Sequence, residues 1–197
     1  IHGHLKTLKF LIEDRIALSK SDSIYFLGDY IDRGPDSKGV IDFIMNLQNS
    51  GYDVHCIRGN HEDYCIRAWE SDQNCFLFRS KIEKDWRKNG ALRTLQSFGV
   101  KRPREIEQRY IDWMKQTEYY VELDDYILVH AGFNFKIKNP LEDVISMMWV
   151  RDFKVNKEKV NGKRVVHGHV PCQNRLPRWW LFRGCPTLTE PTSTQRH

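Results

Sequence analysis

Apolar runs that break off into cation-binding side chains constrain this chain more than any other feature. Ile24-Tyr25-Phe26-Leu27 is closed by Gly28-Asp29, and Tyr30-Ile31-Asp32-Arg33 then meets Gly34-Pro35. A short apolar run closed by Gly and Pro reads as a buried strand ending in a tight turn. The run Tyr52-Asp53-Val54-His55-Cys56-Ile57 ends in the same manner at Arg58-Gly59-Asn60-His61-Glu62. Tyr126-Ile127-Leu128-Val129 ends at His130-Ala131-Gly132, and Arg164-Val165-Val166 at His167-Gly168-His169. Between the first runs, Leu5, Leu8, Ile12, Ile16 and then Val40, Ile41, Ile44, Leu47 recur at helical spacing. Alternating strand and helix predict an α/β fold whose polar clusters gather at the carboxyl ends of the strands.

One such cluster alone is ambiguous, since Asp and Gly are ordinary turn residues and a lone His is more often structural than not. Repetition changes the reading. His2, Asp29, Asn60, His130 and His169 each stand beside or just past an apolar segment. Imidazole, carboxylate and amide oxygen together suit Mn, Fe or Zn, and one carboxylate can bridge two such ions. Two ions about 3.5 to 4 Å apart activate a water and clamp the oxygens of an in-line displacement at phosphorus. The chain has a candidate for each remaining part: Asp29 as bridge, Arg33 and Arg151 to fork onto phosphate, and His61 as proton donor with Asp32 fixing its tautomer.

In order and rough spacing, Ile1-His2-Gly3, Gly28-Asp29-Tyr30-Ile31-Asp32-Arg33-Gly34, Arg58-Gly59-Asn60-His61-Glu62, His130-Ala131-Gly132 and Gly168-His169 resemble the metallophosphoesterases of the PPP serine/threonine phosphatase type, in the calcineurin-like superfamily. Trp86, Asn89-Gly90, Thr94-Leu95, Ser97 and Trp149-Val150-Arg151 resemble the bacterial branch. The resemblance implies a β-sandwich flanked by helices, four layers in αββα order, and a dinuclear site. It implies His2 and Asp29 on one metal and Asp29, Asn60, His130 and His169 on the other, with Mn as the expected ion and Fe or Zn as alternatives. It also implies His61 with Asp32 as the proton-donor pair, and Arg33, Arg151 and Asn60 around the substrate. Arg58 and Glu62 would brace the loop, and His167 would be a neighbour of the site, not a ligand. The family's first motif is Gly-Asp-x-His-Gly, and this chain opens between its Asp and its His. The tail past Gly168-His169 is unlike the family's closing strands, so the fold is expected to be incomplete at both ends and the chain as written to have little or no phosphatase activity.

The stretch from about residue 62 to 117 is helical by pattern and expected as an insertion in a catalytic domain spanning 1–170. Pro103 is expected at a helix start, with Ile106, Tyr110, Trp113 and Met114 on one face. Trp86, Trp113 and Phe98 are expected in the core. Asp124-Asp125 reads as a hairpin turn between Tyr119–Leu123 and the run from Tyr126, and Met147-Met148-Trp149-Val150 as a further strand-like run before Arg151. The tail, 171–197, holds four of the seven prolines and has Arg as its only Lys-or-Arg type, so it is expected to be divergent and poorly ordered.

A net charge of +5 invites a nucleic-acid reading, but the tail contributes +3 of it (four Arg, one Glu), leaving +2 over residues 1–170. A nearly balanced body disfavours a polyanion track. No run of 18 apolar residues exists, so no membrane span is expected. Five cysteines without a Cys-x-x-Cys pair, Cys56 among them in an apolar strand pattern, point to free thiols and a reducing cytoplasm. The leading expectation is a serine/threonine protein phosphatase in which a water held between the metals attacks a phosphomonoester. The alternatives are a symmetrical dinucleoside tetraphosphate hydrolase with the same site, and a catalytically impaired metal-binding or interaction domain.

Overall fold

The computed structural model describes residues 1–74 and 78–170. The expectation of a poorly ordered tail therefore lies outside the described residues, as do Cys75, Cys172 and Cys185.

Helix α1 (Leu5–Lys9) continues as one π-helical stretch, Phe10–Ile16. Leu8, Ile12 and Ile16, four apart, are buried along one face. Strand β1 (Ser23–Phe26) follows, then helix α2 (Ser37–Asn49), whose N-cap Asp36 accepts the Gly39 amide at 2.8 Å. Its buried Val40, Ile41 and Ile44 pack in the larger core with Tyr30, Trp86, Tyr110 and Met114. Strand β2 (Asp53–Cys56) lies parallel to β1, with Ser23 opposite Asp53 and Phe26 opposite Cys56.

Helices α3 (Asn60–Gln73), α4 (Lys81–Lys88), α5 (Ala91–Phe98) and α6 (Gln108–Gln116) fill the stretch that reads as helical. Pro103 does not open the helix carrying Tyr110 and Trp113. It opens a three-residue 3₁₀ turn, Pro103–Glu105, and the chain is extended again at Ile106 before α6 begins. The period was right for α6, and the preceding Pro serves a separate turn.

Strands β3 (Tyr120–Glu122) and β4 (Tyr126–Val129) form the antiparallel hairpin, and β5 (Arg164–His167) lies parallel to β4. Met147-Met148-Trp149 is not a strand: it closes helix α7 (Val144–Trp149), started by Asp143, whose side chain accepts the Ser146 amide at 3.1 Å. Met147 joins Ile127, Val129, Phe133 and Val160 in a second, smaller core.

The result is a mixed α/β architecture of the expected class, with two sheets among the described residues, β1-β2 and β3-β4-β5. Glu118 stitches them together: it bridges Ile57 and exchanges backbone hydrogen bonds with Arg58 and Cys56. Across the strand ends, His130 Nδ1 donates to the Leu27 carbonyl at 2.6 Å. Gly28 permits that approach: its φ is +87°, and a Cβ there would lie 2.6 Å from Gly59 N and 2.8 Å from His130 Nδ1.

Candidate metal centre

Every parallel strand delivers its carboxyl end to one place. After β1 come Asp29, Asp32 and Arg33; after β2, Asn60 and His61 at the start of α3; after β4, His130; after β5, His169. Among the described residues, five of the seven non-glycine residues with positive φ belong to this group: His2 (47°), Asp29 (57°), Asp32 (69°), Arg33 (62°) and His169 (64°). Each left-handed residue costs on the order of 1–3 kcal/mol and persists only where its surroundings over-determine it.

Glu62 supplies much of that constraint. Fully buried at the third position of α3, its Oε2 accepts the amides of Asp29 (2.9 Å) and Gly59 (3.0 Å), and its Oε1 those of Tyr30 (2.9 Å) and Ile31 (3.3 Å). Burial and the negative charge of Asp29 push the Glu62 carboxyl up to about 7, against the pull of His61 and the amides. Glu62→Gln replaces one acceptor oxygen by an NH₂ that faces two amide donors, and each stranded amide costs about 1–3 kcal/mol. A loss near 3 kcal/mol lowers the Tm of a chain this size by roughly 6–12 °C. Calorimetry above pH 7, where Glu62 is ionised, checks this; a shift within 1 °C would show that Glu62 does not hold the loop.

Two groups of ligand atoms converge, His2 with Asp29 and His61, and Asp29 with His130 and His169, each within 4.8 Å of one another. Asp29 belongs to both. Its Oδ2 lies 3.3 Å from His2 Nε2 and its Oδ1 3.4 Å from His130 Nε2. The tautomers follow from the outer partners. His2 Nδ1 faces the Ile31 carbonyl (2.9 Å) and His130 Nδ1 the Leu27 carbonyl (2.6 Å), so both must donate there and both turn an Nε2 lone pair inward. His130 Nε2 then meets Asn60 Oδ1 at 3.1 Å and His169 Nδ1 at 3.2 Å.

Burial lowers the pKa of His130, and burial with the neighbouring His130 pushes His169 down to about 4, so both rings are neutral near pH 7. The short His130–Asp29 contact is therefore not an ion pair. Burial works against ionisation of Asp29, but the contact with His2 and the electrostatic influence of His130 and His61 outweigh it and hold the carboxyl below its usual range. Asp29 Oδ1 is buried without a hydrogen-bond partner. A buried acceptor facing further lone pairs is satisfied by a cation, and neutral imidazoles with an ionised carboxylate are the protonation states that cation ligands require. The residues present fit two divalent ions sharing Asp29.

His61, only 1% exposed, donates from Nδ1 to Asp32 Oδ2 at 2.6 Å. Burial lowers its pKa, but that hydrogen bond and the charges of Asp29 and Asp32 prevail and raise it. Arg33 is exposed and forks over the group, Nη1 donating to His2 Nε2 (3.0 Å) and Nη2 to His61 Nε2 (3.1 Å). Arg151 is exposed and, among the described residues, has no hydrogen bond or ion pair; its charge still contributes to lowering His169. His167 stays outside both groups, exposed beside Phe153 with ring centroids 5.1 Å apart. Arg58 braces: it donates to Thr117 Oγ1, the Tyr119 hydroxyl and the Lys115 carbonyl.

Trp86, read as core, and Thr94 also reach the site. Trp86 Nε1 donates to Asp32 Oδ2 at 2.8 Å and Thr94 Oγ1 to Asp32 Oδ1 at 2.5 Å. Nothing local in the sequence signals these contacts, since 54 and 62 residues separate the partners.

The calcineurin-like phosphoesterase family model matches residues 1–195. A symmetrical bis(5'-nucleosyl)-tetraphosphatase of Pseudomonas putida is 27% identical over 135 residues, 67% of this chain and 40% of that protein. A zinc-dependent endopolyphosphatase of Saccharomyces cerevisiae is 36% identical over 70 residues, 35% of this chain and 21% of that protein. The solved structure of a metallophosphoesterase from Sphaerobacter thermophilus overlays with a TM-score of 0.43 at 16% identity, covering 67% of this chain and 44% of that one. The chain spans less than half the length of these relatives.

Proposed function

Because the chain belongs to the calcineurin-like phosphoesterases, we propose that it serves a metal-dependent phosphoesterase whose substrate is a symmetrical dinucleoside polyphosphate. The observation that carries the chemistry is Asp29, shared by two convergent ligand groups and holding a buried oxygen without a hydrogen bond. His2 and Asp29 would hold one cation; Asp29, Asn60, His130 and His169 would hold the other. Mn is the resident metal proposed, with Fe and Zn as competitors for the same nitrogen and oxygen donors. When bound, two such ions activate a water at neutral pH and polarise the phosphoryl oxygens.

The chain's own residues supply the rest. Arg33 leaves its two imidazole partners to fork onto the non-bridging phosphate oxygens, and exposed Arg151 approaches the same anion from the β5 side. Asn60 contributes its amide to the same region. Once Arg33 moves away, His61 Nε2 is free to carry a proton, and Asp32 on Nδ1 stabilises the resulting imidazolium. That proton goes to the departing oxygen.

Substrate choice rests on the relatives. The Pseudomonas putida protein is named for a dinucleoside tetraphosphate, which favours the alternative over the phosphoprotein first expected. The intact protein, loaded with Mn²⁺, is expected to split diadenosine tetraphosphate into two ADP with kcat/KM at least about tenfold above that for phosphate release from a phosphoserine peptide, a preference of 1.4 kcal/mol or more. The opposite preference would restore the protein phosphatase reading, and turnover of neither would leave a metal-binding or interaction domain. Among the described residues no helix is long and apolar enough to cross a membrane. Cys56 and Cys65 are buried free thiols, which supports a cytoplasmic setting.

A further inference from the structure

We infer that Trp86 and Thr94 are positioning residues for the proton-donor pair, fixing the Asp32 carboxylate so that its Oδ2 meets His61 Nδ1. The inference deepens the phosphoesterase reading and rests on it.

Asp32 is completely buried, and every polar atom around its carboxylate is committed. Oδ2 accepts from His61 Nδ1 (2.6 Å) and from the Trp86 indole (2.8 Å), while Oδ1 accepts from the Thr94 hydroxyl (2.5 Å). The Thr94 hydroxyl has one proton, spent on Oδ1, so it must accept from the Asp32 amide (2.9 Å) and from Ser37 Oγ (3.1 Å). Ser37 Oγ also accepts the Asp32 amide at 3.1 Å, which closes a ring around one residue.

Two consequences follow from this ring. Asp32 is held at φ +69°, a conformation that a non-glycine residue keeps only when several bonds agree on it. The outer torsion of an Asp side chain is broad, and a single bond to His61 would leave the carboxylate free to turn. Donors to both oxygens, from α4 and α5, fix its plane. Helices that read as a flanking insertion thereby become part of the site. Gly90, between them, sits at φ +109°, and a Cβ there would meet Arg33 N at 3.0 Å.

Packing alone does not account for the Trp86 contact. A buried indole needs an acceptor, but Trp69 finds the Ile106 carbonyl and Trp113 the side chain of Gln48, both neutral. Trp86 instead shares the carboxylate oxygen that accepts the His61 Nδ1–H hydrogen bond.

The test uses Trp86→Phe, Thr94→Val and Thr94→Ser, with Trp69→Phe as a control that loses an indole bond elsewhere. In metal-free protein, proton NMR of the wild type is expected to show a far-downfield, slowly exchanging His61 Nδ1 proton. It should be lost or exchange-broadened in Trp86→Phe and Thr94→Val, and kept in Thr94→Ser and Trp69→Phe. On the Mn²⁺-loaded protein, Trp86→Phe and Thr94→Val should each lower kcat about tenfold, the scale of one charge-assisted hydrogen bond, with KM within about twofold. In a His61→Asn background the same changes should add no further loss. Unchanged resonance and kcat in folded Trp86→Phe would overturn the inference, as would a loss that persists undiminished without His61. Should Thr94→Val fail to fold, Trp86→Phe and Thr94→Ser decide by the same readouts. If wild type turns over no phosphoester, the functional reading falls, and the NMR comparison still decides whether Trp86 and Thr94 fix Asp32.

Discussion

Replacing His61 by Asn is expected to lower kcat by about 10²- to 10⁴-fold while leaving metal content near normal. Asn is the informative choice because its amide can still donate to Asp32 Oδ2, so the buried carboxylate is not stranded. What disappears is the second ring nitrogen, the one that Arg33 contacts at 3.1 Å and that would carry the transferred proton. The pH profile separates this from a structural defect. The His61 pKa is raised above 6.5, so the protonated form persists past that pH and is lost as pH rises through the raised value. Wild-type kcat should therefore fall on an alkaline limb above pH 6.5, and His61→Asn should lack that limb. His61 also lies within ligand distance of His2 and Asp29, so there is a clear competing outcome. Loss of a metal from His61→Asn would make His61 a ligand and remove it from proton transfer.

Asp29→Asn should have the larger effect, since Asp29 is the residue common to both ligand groups. Removing an outer-shell partner of a metal ligand already costs about 10- to 100-fold in affinity, so a shared ligand should cost more than 100-fold at each ion. The amide keeps the shape and one acceptor, but it brings no negative charge to offset two dications. Atomic absorption after gel filtration should find wild-type protein with metal and the variant nearly without, and its phosphoesterase turnover should be at background. Retention of one tightly held ion would mean that His130, Asn60 and His169 suffice for a single-metal site and that Asp29 does not bridge.

The motif residues were legible in the sequence because the fold concentrates its chemistry at strand ends. Asp29, Asn60, His61, His130 and His169 follow apolar runs at recognisable breaks, His2 stands just before one, and the structure gathers all six. Partners that act across the chain were not legible. Glu62 read as a loop brace, yet its four amide contacts with Gly59 and with Asp29, Tyr30 and Ile31 depend on the β1 loop folding over the start of α3. Trp86 read as core because an aromatic in a helical stretch reports burial and not where its indole points, and nothing near Thr94 tells where its hydroxyl goes. The run ending at Trp149 read as a strand for a related reason. Four consecutive apolar residues fit strand or buried helix equally, and the deciding signal was Asp143, a helix cap three residues before Ser146. Arg151 read as a twin of Arg33, whereas the structure gives it an exposed position without the bonds to the imidazoles that Arg33 makes.

The phosphoesterase chemistry proposed for this chain depends on two cations meeting at Asp29. Electron paramagnetic resonance of the intact protein titrated with Mn²⁺ measures that directly. The expected result is two ions per chain and the multiline signal of an exchange-coupled pair, which Asp29→Asn abolishes. A single uncoupled Mn²⁺ signal accompanied by full phosphoesterase turnover would contradict it.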